Sequence, residues 1–167
     1  GLDHQETLGD SLEAIAEQKA GIFKASKKAV VAKLAPEARL VCQKKAESLA
    51  VDLYQAGQDF SMLKGDFSSS LGNFPHLKIG LEGAYQQENA ALALQAFLLF
   101  MREWKDIVDG QAIRQALEKT HWAGRLECIR PQIYLDGAHN LPALTRLVEF
   151  IKEKEQEGYR PQILFGA

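Results

Sequence analysis

The stretch GRLECIRPQIYLDGAHN, residues 124–140, decides which fold class the sequence predicts. Its two apolar segments predict strands over residues 125–129 and 132–136, separated by a turn at Arg130-Pro131. The residues after Asp136 open a helix predicted over 141–157, and residues 162–165 predict a closing strand. Strand, loop, helix and strand would form one βαβ unit, which is typical of the start of a doubly wound α/β domain.

The rest of the chain also alternates helices with short strands, which predicts an α/β fold. Asp10, followed three residues later by Glu13, predicts the N-cap of the first helix. The segment 58–76 is rich in Gly and Ser and predicts irregular or hairpin structure. We expect a domain boundary near residues 120–124. The predicted helices are 11–20, 36–49, 87–103 and 110–119, and the predicted strands are 29–33, 51–54 and 77–81.

Composition excludes several classes of protein. The 167 residues carry a net charge of -2 with no basic stripe, so we expect no nucleic-acid partner. The most apolar run, residues 89–101, is too short to cross a membrane, so we expect no membrane partner. Cys42 and Cys128 are too few for a zinc site and suit a reducing, cytoplasmic compartment. The patterns GxxxxGK[ST] and GxGxxG, which bind phosphates, do not occur in the sequence.

Lys19 raises a question because it follows Leu12, Ile15 and Ala16 on one helix face. One interpretation is that its stem lines the core while its ammonium reaches water. The other is that a desolvated, neutral amine captures carbon dioxide as a carbamate, whose oxygens suit magnesium. His4, just before this helix, is either a loop residue or a ligand beside Lys19.

Further polar residues lie where helices begin and strands end. Gln86 and Asn89 share a face at the start of an apolar helix. They either cap the helix or contact a ligand there. Asp136 follows a strand, where open α/β sheets bind ligands, although it would also suit an N-cap. The planar guanidinium of Arg125 suits a phosphate or a carboxylate.

Four segments, in order, resemble motifs of the folylpolyglutamate synthase / dihydrofolate synthase family, the folate branch of the Mur ligases. GLDHQETLGDSLEAIAEQKAGIFK resembles DHxxxLGxTxxxIAxxKAGI, and GAYQQENAALAL resembles GxHQxxNAxxAL. GRLE resembles PGRxE, and LDGAHN resembles LDGAHNP. The first motif is long and disfavours a cell-wall muramyl ligase.

The resemblance implies the C-terminal part of a Mur-ligase-type ATP-binding domain over residues 1–120. Over residues 121–167 it implies the beginning of a Rossmann-like C-terminal domain. It also implies a cytoplasmic enzyme, monomeric when full length, that joins glutamate to folate or dihydropteroate through an acyl phosphate, with ATP and Mg²⁺. The roles it implies are carbamylation for Lys19, catalysis for His139, magnesium binding for His4, and ATP contact for Asn89, Arg125, Asp136 and Asn140.

The chain departs from these motifs at three positions. Tyr85 replaces a histidine, Ala123 replaces the proline before Gly-Arg, and Leu141 replaces the proline after His-Asn. Because no phosphate-binding GxxxxGK[ST] pattern occurs here, we expect that this chain alone neither hydrolyses ATP nor ligates glutamate. The alternative is a non-catalytic module that binds small molecules and keeps the ligase fold.

Overall fold

The computed structural model describes residues 11–166, so the predicted cap Asp10 and the predicted ligand His4 lie outside the described residues. The helices within this range are α1 (Leu12–Ala20), α2 (Pro36–Ser48), α3 (Gln86–Trp104), α4 (Gly110–Lys119) and α5 (Leu141–Gln156). The strands are β1 (Lys28–Val31), β2 (Asp52–Gln55), β3 (Phe60–Leu63), β4 (Asp66–Ser69), β5 (Gly72–Phe74), β6 (Glu127–Arg130) and β7 (Ile133–Leu135).

A parallel pair of strands lies at the centre of the first part of the chain. β1 and β2 pair with Val30 opposite Tyr54, and α2 connects them. Because side chains alternate between the faces of a strand, Val30 and Tyr54 pack on one core while Val31 packs on another. Helices cover both faces, which is the layered α/β arrangement that the alternating pattern predicts.

The two cores differ in their elements. α3 and α4 enclose the first core with the antiparallel sheet β3-β4-β5, which confirms the predicted hairpin structure of residues 58–76. The second core lies between α1, α2 and the parallel pair. Burial there raises the pKa of the Cys42 thiol. The buried residues are Phe60, Phe67, Leu77, Ala91, Leu94, Leu98 and Ile113 in the first core, and Ala20, Phe23, Cys42 and Ala46 in the second.

Side-chain caps fix three of the helix starts. Ser11 caps α1, where its hydroxyl accepts a hydrogen bond from the Ala14 amide at 3.2 Å. Asp109 caps α4 as predicted, through the Gln111 amide at 2.8 Å. Asn140 caps α5, and Pro142 lies in the first turn of that helix.

Two predicted strands are wrong. Residues 77–81 form no strand because their amides bond elsewhere: Leu77 donates to the Gly65 carbonyl and Gly80 to the Leu117 carbonyl. Residues 162–165 are exposed and pair with no strand within the described range. The predicted βαβ unit is therefore wrong too, because no strand follows α5 up to residue 166.

The last part of the chain is a hairpin covered by a helix. β6 and β7 are antiparallel, and α5 packs on β7 through Tyr134 and Phe150, whose ring centroids are 5.0 Å apart. The boundary near residues 120–124 remains a prediction. Among residues 11–166, no helix is long and apolar enough to cross a membrane.

Candidate functional site

Asp136 ties together the two ends of the β6-β7 hairpin. Its Oδ2 accepts a hydrogen bond from the Leu126 amide at 2.8 Å, and its Oδ1 accepts one from the Ala138 amide at 2.9 Å. The interpretation of Asp136 as an N-cap is wrong, because Asn140 caps α5 through the Ala143 amide at 2.9 Å. A carboxylate has about four lone-pair sites, so Asp136 keeps acceptor capacity for a ligand.

Leu126 is held in an unusual conformation beside Arg125. Its φ of 46° lies in the left-handed region, which a leucine rarely adopts, and its side chain is only 2% exposed. The bond from its amide to Asp136 helps to hold that conformation. Arg125 is exposed, and its guanidinium has no hydrogen-bond or ion-pair partner among residues 11–166. It is thus a cation available to an anionic ligand.

The start of α3 presents a second polar group. Gln86 is 5% exposed, and its Oε1 accepts a hydrogen bond from Nδ2 of the exposed Asn89 at 2.9 Å. These side chains do not cap the helix, because the Gln86 amide donates to the Gly83 carbonyl and the Gln87 amide to the Ala84 carbonyl. Gln86 thus orients Asn89 at the helix surface.

The segments that carry the two polar groups meet at Gly83. Gly83 has a φ of 96°, and a Cβ at this position would lie 2.7 Å from Tyr85 Cε1 and 3.0 Å from Leu126 Cδ1. Tyr85 and Leu126 therefore both lie over Gly83, and only glycine fits beneath them. Nearby, Arg146 Nη2 lies 3.9 Å from Glu88 Oε2, which links α5 to α3.

The charges around Tyr85 show how closely the segments approach. Burial and then the negative charge of Asp136 raise the pKa of the Tyr85 phenol. Arg125 and Arg146 act in the opposite direction, as does a hydrogen bond from Gln86. The phenol thus lies within electrostatic reach of two cations and one carboxylate.

Lys19 does not face the core, which corrects the expectation drawn from its position. It is exposed although it lies on the helix side of Ile15 and Ala16, which are buried. It lies in the last turn of α1, next to the buried Ala20. The interpretation of Lys19 as a desolvated amine therefore has no support from its burial. Within residues 11–166, no three His, Cys, Asp or Glu side chains lie close enough to hold a metal ion.

The other predicted residues of the last motif are part of the same loop. His139 is exposed, and its Nδ1 lies 2.8 Å from the Gly137 carbonyl oxygen. Sequence reasoning missed Gly83, Leu126 and Arg146. A glycine just before a helix was the available signal for Gly83, whereas nothing in the sequence marks Leu126 as left-handed.

The chain resembles known proteins over nearly its whole length. It is 34% identical over 163 residues to "Folylpolyglutamate synthase" of Lacticaseibacillus casei, covering 91% of this chain and 38% of that protein. It is 33% identical over 183 residues to "Dihydrofolate synthase/folylpolyglutamate synthase" of Bacillus subtilis, covering 100% of this chain and 41% of that protein. The chain thus spans about two fifths of the length of these curated relatives. No protein-family model matches it.

Solved structures give the same result. "Apo form of L. casei FPGS" matches with a TM-score of 0.85 at 33% identity, covering 92% of this chain and 40% of that chain. "FPGS-AMPPCP-folate complex" matches with a TM-score of 0.86 at 33% identity, with the same coverage of 92% and 40%. The predicted resemblance and the predicted fold class are confirmed.

Proposed function

We propose that this chain, a homologue of the folylpolyglutamate and dihydrofolate synthases, is part of an ATP-dependent ligase that joins glutamate to a folate or dihydropteroate carboxylate. The observation that carries the proposal is the meeting at Gly83 of two segments, one with Asn89 and the other with Arg125 and Asp136. These are residues to which the resemblance gives ATP contacts. Asn89 lies 36 positions before Arg125, in a different motif from those of Arg125 and Asp136.

The three residues offer different chemistry to a nucleotide. The guanidinium of Arg125 carries a fixed charge and a donor fork that match phosphate oxygens. Asp136 has remaining acceptor capacity for hydroxyl groups, and its loop is held by bonds to the Leu126 and Ala138 amides. The amide of Asn89, held by Gln86, adds a polar contact from the other segment. ATP supplies the phosphoryl group that activates the carboxylate for attack by the glutamate amine.

The described part of the chain holds no ready-made metal site of three or more protein ligands. No cluster of acidic or histidine ligands exists within residues 11–166, and His4 lies outside that range. Magnesium binding by His4 and carbamylation of Lys19 remain proposals that only the sequence motif supports, as do catalysis by His139 and ATP contact by Asn140.

The remaining partners follow from the same proposal. We assign small-molecule substrates, a cytoplasmic location and a monomeric full-length enzyme. The free thiols of Cys42 and Cys128 suit the reducing conditions of a cytoplasm.

Nucleotide binding to the chain tests the proposal. We expect the analogue AMPPCP to shift amide resonances around Asn89, Leu126 and Ala138 in an NMR titration. Replacing Arg125 by Gln removes a charge-assisted contact worth about 1.5–3 kcal/mol, so we expect roughly 10–100-fold weaker binding. Arg130→Gln alters an exposed arginine at the far end of β6 and is the matched control.

Two results would contradict the proposal. One is the absence of any shift at these residues at millimolar analogue, and the other is equal weakening by Arg125→Gln and Arg130→Gln. We also expect no ATP-dependent glutamate ligation by the 167-residue chain alone. Binding without any ligase activity in the full-length protein would favour the alternative of a non-catalytic binding module.

A further inference from the structure

Tyr85 is a position where this chain differs from the motif that it resembles. The motif has a histidine before Gln86, whereas this chain has a larger aromatic side chain. The Tyr85 ring lies over Gly83 together with Leu126, so it contacts the region where the two polar segments meet. The residue is half-buried, and the proposed nucleotide contacts assign it no role.

The left-handed backbone conformation of Leu126 requires stabilising contacts. A non-glycine residue in the left-handed region costs about 1–3 kcal/mol and persists only where its surroundings fix it. The Asp136 carboxylate fixes its backbone from one side. Its side chain, 2% exposed, is enclosed where Gly83 and Tyr85 lie. Since Arg125 directly precedes Leu126, whatever holds Leu126 also sets the direction of Arg125.

The ion pair that links α5 to α3 is weak. Arg146 and Glu88 are 3.9 Å apart with side chains 47% and 66% exposed, and such surface pairs contribute about 0–1 kcal/mol. The Gly83 cluster, made of Gly83, Tyr85 and the buried Leu126, connects the segment before α3 to the residue before β6.

We propose that Tyr85 is a positioning residue, whose ring holds Leu126 over Gly83 and thereby keeps the segment of Arg125 and Asp136 against the segment that opens α3. Its consequence for nucleotide binding rests on the proposed function, since it makes groups from two segments available to one ligand. The ring performs this task by packing, so the hydroxyl is dispensable for it. Tyr85→Phe should therefore preserve the position of Leu126, whereas Tyr85→Ala should not.

Amide hydrogen exchange of the 167-residue chain, followed by NMR without nucleotide, tests the proposal. In Tyr85→Ala we expect the Leu126 and Ala138 amides to exchange about 10-fold faster or more, because the hairpin base opens locally. The Leu94 and Leu98 amides in the first core should keep their rates. Tyr85→Phe should restore slow exchange at Leu126 and Ala138. Leu63→Ala changes a side chain on β3 that is 72% exposed and should leave all four amides unchanged.

A second variant keeps the test decisive if Tyr85→Ala unfolds the chain. Leu126→Ala removes the other half of the contact and should accelerate the Ala138 amide while Leu94 stays slow. The proposal is overturned if Ala138 keeps its rate in both variants, if exchange accelerates equally in the first core, or if Tyr85→Phe behaves like Tyr85→Ala. Because no nucleotide is present, a failure of AMPPCP binding would contradict the proposed function and leave this result standing.

Discussion

At the scale of a single residue, Asp136 both forms hydrogen bonds and exerts an electrostatic effect. Its two oxygens accept bonds from amides on either side of the hairpin, and its charge acts on the nearby Tyr85 phenol. Arg125 and Arg146 partly offset that charge. The pKa of the Tyr85 phenol therefore reports on the charges of one carboxylate and two guanidinium groups.

Charge removal should shift the pKa of Tyr85 in opposite directions. Asp136 disfavours the phenolate, so Asp136→Asn should lower the pKa of the phenol. Arg146 favours the phenolate, so Arg146→Gln should raise it. NMR titration of chains with ¹³C-labelled tyrosine measures the shift, and Tyr159 in the same spectra is the internal control. Shifts of the same sign in both variants would contradict the described arrangement.

The position and conformation of some site residues could be predicted from the sequence, and those of others could not. Asp136, Arg125 and Asn89 were predicted because strand ends and helix starts leave polar groups exposed to ligands. Whether they bind ATP stays a prediction. The helical position of Lys19 predicts that it faces inward, yet its side chain is exposed. Helical spacing identifies a face of the helix but does not show which neighbouring elements cover each position on it. The conformation of Leu126 depends on Asp136, 10 residues away, which no local pattern encodes.

Among the elements, helices follow their sequence signals closely. α2 begins at Pro36 and α4 begins after Asp109, both as predicted. Helices form most of their bonds internally, so local signals suffice. A strand needs a partner, and residues 77–81 show the consequence, because their amides bond to a turn and a helix end.

The cap of α4 can be tested by one substitution. Asp109→Ala leaves the Gln111 amide without its carboxylate partner, so we expect a loss of about 1 kcal/mol in the free energy of unfolding. Gln111→Ala in the same turn keeps that bond and should change stability by less than about 0.5 kcal/mol. Urea denaturation followed by circular dichroism measures both, and equal stability of the two variants would refute the capping role.

At the scale of the whole molecule, the parallel pair β1-β2 couples the two cores. Val30 packs on the first core and Val31 on the second, so neither core can lose its packing without exposing the same strand. We therefore expect the two cores to unfold together.

A cavity in one core should be detected in the other. Phe67 is 2% exposed in the first core, and Phe67→Ala should cost about 3–5 kcal/mol. In a Cys128→Ser background, the buried Cys42 thiol reports on the second core through its reaction with a thiol reagent. We expect Phe67→Ala to lower the urea midpoint for Cys42 exposure. Leu63→Ala, at a side chain 72% exposed, is the control and should leave that midpoint in place. An unchanged midpoint in Phe67→Ala would show that the cores unfold separately.

The bonds at the base of the β6-β7 hairpin have a mechanical consequence. Because Asp136 joins the two ends of the β6-β7 hairpin, we expect the hairpin to rotate as a rigid unit about its contact with Gly83. Its tip at Pro131 lies about five residues from Leu126, or about 15 Å along the strand. A pivot of about 10° would therefore displace the tip by about 3 Å, which makes a spin label at Gln132 a sensitive gauge of small rotations.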